Sequence, residues 1–360
     1  MAAGGRQSRG VTEPQRDRWR GATDEGLQLT DKSKFEKDTK MKIKQSDINP
    51  FKNSDSNKRY YTYDYYLKKT FGGKCMKIPL DAGFTCPNID GKCSVGGCIY
   101  CSPRGSGDFA AESVIPVVEQ FEITKNQLSG KWKTDKYIPY FQAHTNTYAP
   151  LDVIREKVES VMVKEGVVGL NIATRADCLE DETVEYLASL AERTVLTVEL
   201  GLQTAHDSTA YLINRGHTFA DFLEGYEKLR KASSKINVCI HLIFGLPEES
   251  REMMIETAKK VAKLRPDQVK IHLLHVIRGT RLADIYNEGK YKPLSMDEYV
   301  DIVAEALTYL PPDTVIGRLT GDGMQSELLA PDWSRKKTVV INNIDKKMFA
   351  EDLWQGKNLT

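Results

Sequence analysis

Five of the chain's seven cysteines crowd into residues 75–101, and this cluster limits what the chain can fold into more than any other feature. They are Cys75, Cys86, Cys93, Cys98 and Cys101, while Cys178 and Cys239 lie far downstream. In a short secreted protein such crowding reads as a disulfide framework. Here the chain has 360 residues, and its opening stretch, MAAGGRQSRGVTEPQRDRWRG, has no apolar core of a secretory signal. In that setting the cluster points to metal binding or redox chemistry.

The rest of the chain must supply a scaffold. Hydrophobic residues make up 40% and charged residues 28%, a composition able to bury a sizeable core. No apolar run approaches the roughly 20 residues of a membrane span, so no membrane contact and a cytoplasmic location are expected. A formal net charge of +1 neither demands nor excludes nucleic acid.

Residues 1–58 are polar and without sustained apolar period, and disorder is expected there; Met41 is an alternative start. The segment RYYTYDYYLKKTFGGK (59–74) is aromatic and basic. From Lys74 onward short apolar runs alternate with amphipathic ones. Strands are expected at 76–82, 137–142, 167–173, 194–200, 237–245 and 268–276, apolar enough to be buried on both faces. Helices are expected at 111–128, 150–164, 181–192, 207–232, 251–264 and 281–309. Six strand-then-helix units in series imply an α/β fold, a parallel sheet closed or partly closed into a (β/α)6 barrel. The expected layout is a core at 59–310 and a C-terminal extension at 311–360, with a last helix near 341–353.

The cysteine loop, GFTCPNIDGKCSVGGCIYCSPRGSGDF (83–109), follows the first strand directly. The C-terminal end of a barrel strand is where such folds do chemistry. Cys98 and Cys101 can reach adjacent irons of one cube, a third thiolate can come from the neighbouring loop, and Gly91, Gly96 and Gly97 permit the tight backbone path. The spacing alone leaves rivals open. Cys93, Cys98 and Cys101 have the interval of plant-type 2Fe–2S ferredoxins, with Cys86 as a fourth ligand, and a zinc site on four of these cysteines is chemically sound. The downstream barrel, which a ferredoxin or zinc ribbon lacks, favours a cluster with one open iron. Cys75, at the opposite end of the first strand, is expected to pack.

The strings KIPLDAGFTCPNIDG and GGCIYCS resemble the cluster loop of the YhcC/YtqA-like radical S-adenosylmethionine (SAM) proteins, relatives of the elongator catalytic subunit and of oxygen-independent coproporphyrinogen dehydrogenase. The resemblance runs from about residue 59 to residue 354. It implies a partial radical SAM barrel holding a 4Fe–4S cluster on Cys86, Cys98 and Cys101, with Cys93 a bystander. It also implies SAM as cofactor, cleaved reductively to a 5′-deoxyadenosyl radical, and a flavodoxin- or ferredoxin-like electron donor. Gln203 and Arg215 match the relatives' contacts to the SAM ribose and carboxylate; Tyr100 and Gly245 match the adenine wall, and Arg175 a residue orienting SAM or substrate. The common Gly-Gly-Glu motif after the second strand is replaced by FQAHTNTYAP, leaving Gln142, Thr145 and Asn146 in its place. Cys178 is a candidate catalytic thiol, weighed against a small buried cysteine. Kinship with the elongator subunit suggests tRNA as substrate, and the tyrosines of 59–69 offer either a stacking surface for bases or a cover for the barrel. The alternative is a non-catalytic iron–sulfur or zinc protein, or an electron carrier.

The six histidines form no ligand pair of the HExxH kind, and there is no P-loop or GxSxG elbow, so phosphoryl transfer and serine hydrolysis lack their usual handles.

Overall fold

The computed structural model describes residues 49–321 and 323–359; most of the segment expected to be disordered, with Met41, lies outside the described residues. Seven parallel strands form one sheet: β1 (Met76–Leu80), β2 (Tyr137–Phe141), β3 (Gly169–Thr174), β4 (Val195–Gln203), β5 (Asn237–Phe244), β6 (Gln268–Leu273) and, after a two-residue strand β7 (Val276–Ile277), β8 (Val315–Arg318). The spatial order is β1-β2-β3-β4-β5-β6-β8, so every crossover advances by one place and the sheet curls into a partial barrel. β7 pairs antiparallel with β9 (Leu328–Ala330) at the rim.

The strands are not apolar on both faces, as their composition suggested. In β4 the residues Leu196, Val198 and Leu200 are fully buried against the helices, while Glu199 between them points into the barrel. The same alternation sets Ile240 and Leu242 against His241 in β5, and Val269 and Ile271 against Lys270 and His272 in β6. A partial barrel therefore has an oily outside under its helices and a polar inside.

The helices that cover the sheet are α1 (Tyr63–Phe71), α2 (Val117–Ser129), α3 (Leu151–Met162), α4 (Asp181–Ala191), α5 (Asp207–Leu212), α6 (Phe219–Ala232), α7 (Arg251–Leu264), α8 (Arg281–Asn287), α9 (Met296–Tyr309) and α10 (Lys337–Ala350). Two expected long helices are broken. The stretch 207–232 splits into α5 and α6 because Asn214 and Gly216 adopt φ of 54° and 77°, left-handed values no helix continues through. The stretch 281–309 splits into α8 and α9 around Gly289, at φ 72°.

A seventh strand, β8, arises from the C-terminal extension and pairs in parallel with β6. Residues 49–58 are ordered, with Phe51 buried against Tyr61 and Val315. The tyrosines of 59–69 plug the N-terminal end of the barrel. Tyr60 and Tyr61 are buried, Tyr63 stacks on Tyr66, and Lys77 Nζ sits 4.7 Å over the Tyr63 ring. They are a cover, and the stacking-surface alternative is not what these rings form.

Candidate cluster and cofactor site

Loops at the C-terminal ends of the strands enclose a cavity of about 250 Å³, lined by Cys86, Cys98 and Cys101 on one side and by residues of β4, β5, β6 and β8 on the other. The long loop after β1 is held by polar contacts in place of regular structure. The Cys86 thiol donates to Asn88 Oδ1 at 2.8 Å, and Asn88 Nδ2 donates to Cys98 Sγ at 3.3 Å and to the Asn214 carbonyl at 3.0 Å. Gly91, Gly96 and Gly97 carry φ of 98°, 79° and 72°, which glycine alone adopts at little cost. From across the mouth, Asn214 Nδ2 donates to the carbonyls of Val95 and Gly97, at 3.0 and 2.7 Å. The break between α5 and α6 is thus a clamp on the cysteine loop.

Burial pushes the Cys101 thiol up, and the nearby Cys98 and Cys86 thiols push it further. Three thiols converging on one cavity wall are a natural donor set for a metal cluster. Cys93 is exposed and turned away; its thiol donates to Asp177 Oδ2 at 3.8 Å, and it is absent from the cavity wall. Cys178 is buried behind Asp177, its thiol pushed up to about 12 by burial, and it too is off the wall. Cys75 is buried beside Gly73 at the other end of β1, and Cys239 is fully buried next to Glu199.

Opposite the cysteines are polar atoms that lack partners. Gln203 ends β4 at a register shift, with φ of 74°, and its buried Oε1 has no hydrogen bond. Arg215 donates through Nη2 to the Gly201 carbonyl at 2.5 Å, yet its buried Nε is unsatisfied. Orphaned buried atoms are rare in folded proteins, and these two on one cavity wall suit a polar cofactor bearing a carboxylate and hydroxyls. Arg175 is gripped by Asp177 through Nε and Nη2 at 2.9 and 2.7 Å, and its Nη1 donates to the Arg215 carbonyl at 2.7 Å. Gln142 reaches the wall and donates to the Ser106 carbonyl at 2.8 Å; Tyr100 lines the wall, half-buried. Asn146 does not reach it. Its Nδ2 braces the carbonyls of Phe141, Ala143 and Ala173. Gly245 lies in a second cavity of about 410 Å³, between Leu246 and Tyr291.

The chain's polar barrel interior is the part that sequence reasoning missed. Glu199, with a side chain fully withdrawn from solvent, accepts from Tyr140 Oη at 2.7 Å and Asn171 Nδ2 at 2.6 Å, pairs with Lys270 and Lys77, and meets His241 Nε2 at 2.8 Å. Its carboxyl is held well below the usual range: burial alone would raise it, and the Lys270 and Lys77 ammoniums outweigh that. A lone charge at an inward position of an otherwise apolar strand, as in TVEL and VKIH, is the signal that marks such residues.

Residues 89–261 match the model of the radical SAM superfamily, and residues 266–350 match the radical SAM C-terminal domain. The chain is 50% identical over 309 residues to YtqA of Bacillus subtilis (strain 168), covering 86% of this chain and 95% of that protein. It is 33% identical over 159 residues to the tRNA uridine(34) acetyltransferase of Methanocaldococcus jannaschii, covering 43% of this chain and 28% of that protein. Among solved structures, the Elp3 of the archaeon Methanocaldococcus infernus, with its N-terminus deleted, superposes with a TM-score of 0.59 at 19% identity, over 78% of this chain and 64% of that one.

Proposed function

The chain belongs to the radical SAM superfamily, in the YhcC/YtqA-like family, and from that premise we propose that Cys86, Cys98 and Cys101 hold its cluster and that tRNA is its substrate. It is a radical SAM enzyme whose cofactors are a 4Fe–4S cluster and S-adenosylmethionine. When bound together, these supply reductive cleavage of the sulfonium and a 5′-deoxyadenosyl radical that abstracts hydrogen from substrate.

The protein's own part is to bind, orient and exclude. Cys86, Cys98 and Cys101 are the thiolate donors, and the Asn88 amide fixes the distance between the first two. Arg215 Nε and Gln203 Oε1 are the unsatisfied groups that complement a carboxylate and a ribose hydroxyl. Arg175, locked by Asp177, holds the Arg215 backbone and so sets where that guanidinium points. Tyr100 shields the cysteines from one side, and the tyrosine plug closes the barrel below. Water is thereby kept from entering the centre through the base of the barrel, which favours radical chemistry.

The single observation that carries this reading is the convergence of three thiols and two unpartnered polar atoms on one cavity. The tRNA assignment is supported by likeness over 159 residues to a protein named as a tRNA uridine(34) acetyltransferase. A flavodoxin- or ferredoxin-like reductant and a cytoplasmic location complete the proposal; among the described residues no helix is long and apolar enough to cross a membrane.

The test is anaerobic reconstitution with iron and sulfide, then SAM and dithionite. Release of 5′-deoxyadenosine supports the assignment. A redox-active cluster indifferent to SAM would favour the electron-carrier alternative. Comparing modified nucleosides in tRNA from a deletion strain and its parent then tests the substrate.

A further inference from the structure

Below the cysteines, the floor of the cavity is lined by Glu199 of β4, His241 of β5, and Lys270 and His272 of β6. Strand register orders them. His241 pairs with Gly201 and with Lys270, so it stands two residues nearer the mouth than Glu199, and His272 stands two nearer than Lys270. Glu199 is ionised: burial works against its charge, and Lys270 and Lys77 outweigh that burial. A carboxylate only accepts, so its 2.8 Å contact with His241 Nε2 places the imidazole proton on that nitrogen. Burial and the neighbouring Lys270 lower His241 to about 4, which keeps its ring neutral. Its Nδ1 is then a bare acceptor, and no described residue donates to it. The side chain of His241 keeps 16% of its surface open, whereas Glu199 behind it keeps none, so the imidazole is the part of this pair that a molecule in the cavity can touch. The His272 ring lies 5.1 Å from the His241 ring, tilted by 36°, and its Nε2 also lacks a partner among the described residues. The charges around them are already engaged: Lys270 and Lys77 by Glu199, Arg175 by Asp177, and Asp108 by the Ser102 hydroxyl at 3.3 Å.

We propose that His241, its tautomer set by Glu199, accepts a hydrogen bond at Nδ1 from an uncharged N–H or O–H group of the substrate, and that His272 borders the same subsite. The chemical class is an amide, imide or hydroxyl. An anion without a proton has nothing to donate to Nδ1, and a cationic donor would meet the Lys270 ammonium, so both are disfavoured on this floor. A group held there lies under the three cysteines, which places the bonds next to it in the space where a radical would form. Glu199 is a positioning residue: it reaches the substrate only through His241. The inference rests on the radical SAM reading for calling the occupant a substrate, and it adds the chemistry by which that substrate is chosen.

The test uses the reconstituted holoenzyme and two probes from a deletion strain: its purified bulk tRNA and the low-molecular-weight filtrate of its extract. Each is titrated with SAM and dithionite while release of 5′-deoxyadenosine is followed, and the half-stimulating concentration of the active probe is read. His241→Phe keeps a ring and removes both nitrogens. It is expected to raise the half-stimulating concentration about tenfold or more, with SAM affinity and melting temperature as in the parent. His241→Asn, whose Oδ1 takes the place of Nδ1, recovers part of that loss, which a merely structural role would not predict. His272→Phe raises it severalfold, and Arg265→Gln, on the exposed surface, leaves it unchanged. Heteronuclear NMR of nitrogen-labelled histidine in the same holoenzyme is expected to show His241 neutral and protonated on Nε2 from about pH 6 to 8. Stimulation by tRNA or by the filtrate supports the subsite and tells which source carries the donor group. A proton on Nδ1 overturns the subsite, and so does a half-stimulating concentration that His241→Phe does not move. Weakened SAM binding in His241→Phe overturns it too, by assigning the nitrogen to the cofactor. If the parent releases 5′-deoxyadenosine and neither probe stimulates it, the subsite falls and the enzyme assignment stands. If parent and variants alike release none, the radical SAM reading fails first and takes the subsite with it.

Discussion

Cys86 and Cys93 are seven positions apart in one loop, and geometry separates them. Cys86 faces the cavity and shares Asn88 with Cys98, whereas Cys93 is exposed and answers to Asp177. Removing Cys86 leaves two donors for a group that needs three, so Cys86→Ala is expected to lose most iron and about a hundredfold or more of SAM cleavage. Cys93→Ala is expected to keep more than about half of both, since it deletes no cavity donor. Iron content by colorimetry and 5′-deoxyadenosine by chromatography check the pair; the opposite ranking would sink the ligand assignment. A second residue, Glu249, carries a pH signature. Burial lifts its carboxyl to about 7 against an ordinary 4.5, with Thr204 and Thr209 opposing. The native state therefore holds a proton that the unfolded chain has released, and stability falls as pH rises from 4.5 to 7. Glu249→Gln is expected to recover up to about 3 kcal/mol above pH 7 and almost nothing below 4.5, measured by chemical denaturation at both ends. The cysteine loop was legible as a metal-binding loop because such crowding is chemistry in itself, whereas the choice of Cys86 over Cys93 came from the family resemblance and not from spacing. Asn88 and Glu199 were not legible, because a single polar letter acquires meaning only once the fold decides which way it points.

At the level of single elements, α6 shows where intrinsic preference and tertiary fit oppose each other. Gly225 lies inside that helix, where alanine would gain about 1 kcal/mol by propensity. A Cβ there would come 2.2 Å from the carbonyl oxygen of Ala176, in the loop that carries Arg175 and Asp177. Gly225→Ala is therefore expected to destabilise by about 1–3 kcal/mol and to raise the KM for SAM, because relief of the clash moves the Arg175–Asp177 pair that holds the Arg215 backbone. Thermal denaturation and SAM-cleavage kinetics check both parts, and a more stable variant with unchanged KM would show that the helix is free to shift. Elements whose boundaries are set locally were readable from their letters. The α7 helix occupies the expected 251–264 because Ser250 caps it, its hydroxyl accepting from Met253 N. The division of 207–232 was hidden, since Asn214 and Gly216 take left-handed φ to serve the cysteine loop across the mouth and not the helix they interrupt.

For the molecule as a whole, the C-terminal extension behaves as part of the barrel. Six strands were visible in the alternation of apolar runs; the seventh, VIGR, is four residues long and polar at its end, too short for periodicity to mark. Its Ile316 N donates to the Tyr61 carbonyl at 2.7 Å, tying the plug of the barrel to its last strand. Gln355 then stitches both: its Oε1 accepts from Tyr61 N at 2.8 Å and its Nε2 donates to the carbonyls of Pro311 and Thr314 at 2.5 and 2.7 Å. Arg59, buried, reaches Asp352 at 2.8 Å. Val315, Ile316, Val340, Ile344 and Met348 are all nearly or fully buried. At about 1.5–3 kcal/mol for each such side chain, their burial is on the order of 10 kcal/mol, comparable to the whole stability of an ordinary domain. A chain ending at residue 310, where the apolar alternation fades, is accordingly expected to show no cooperative melting by circular dichroism and to bind the fluorophore ANS through its exposed β6 edge and α9 face. Gln355→Ala in the full chain is expected to melt cooperatively but lower, by about 1–3 kcal/mol, because it leaves buried carbonyls unpaired without removing apolar area. If the shortened chain instead melts as sharply as the full one, the last 50 residues are an accessory and the barrel closes without β8.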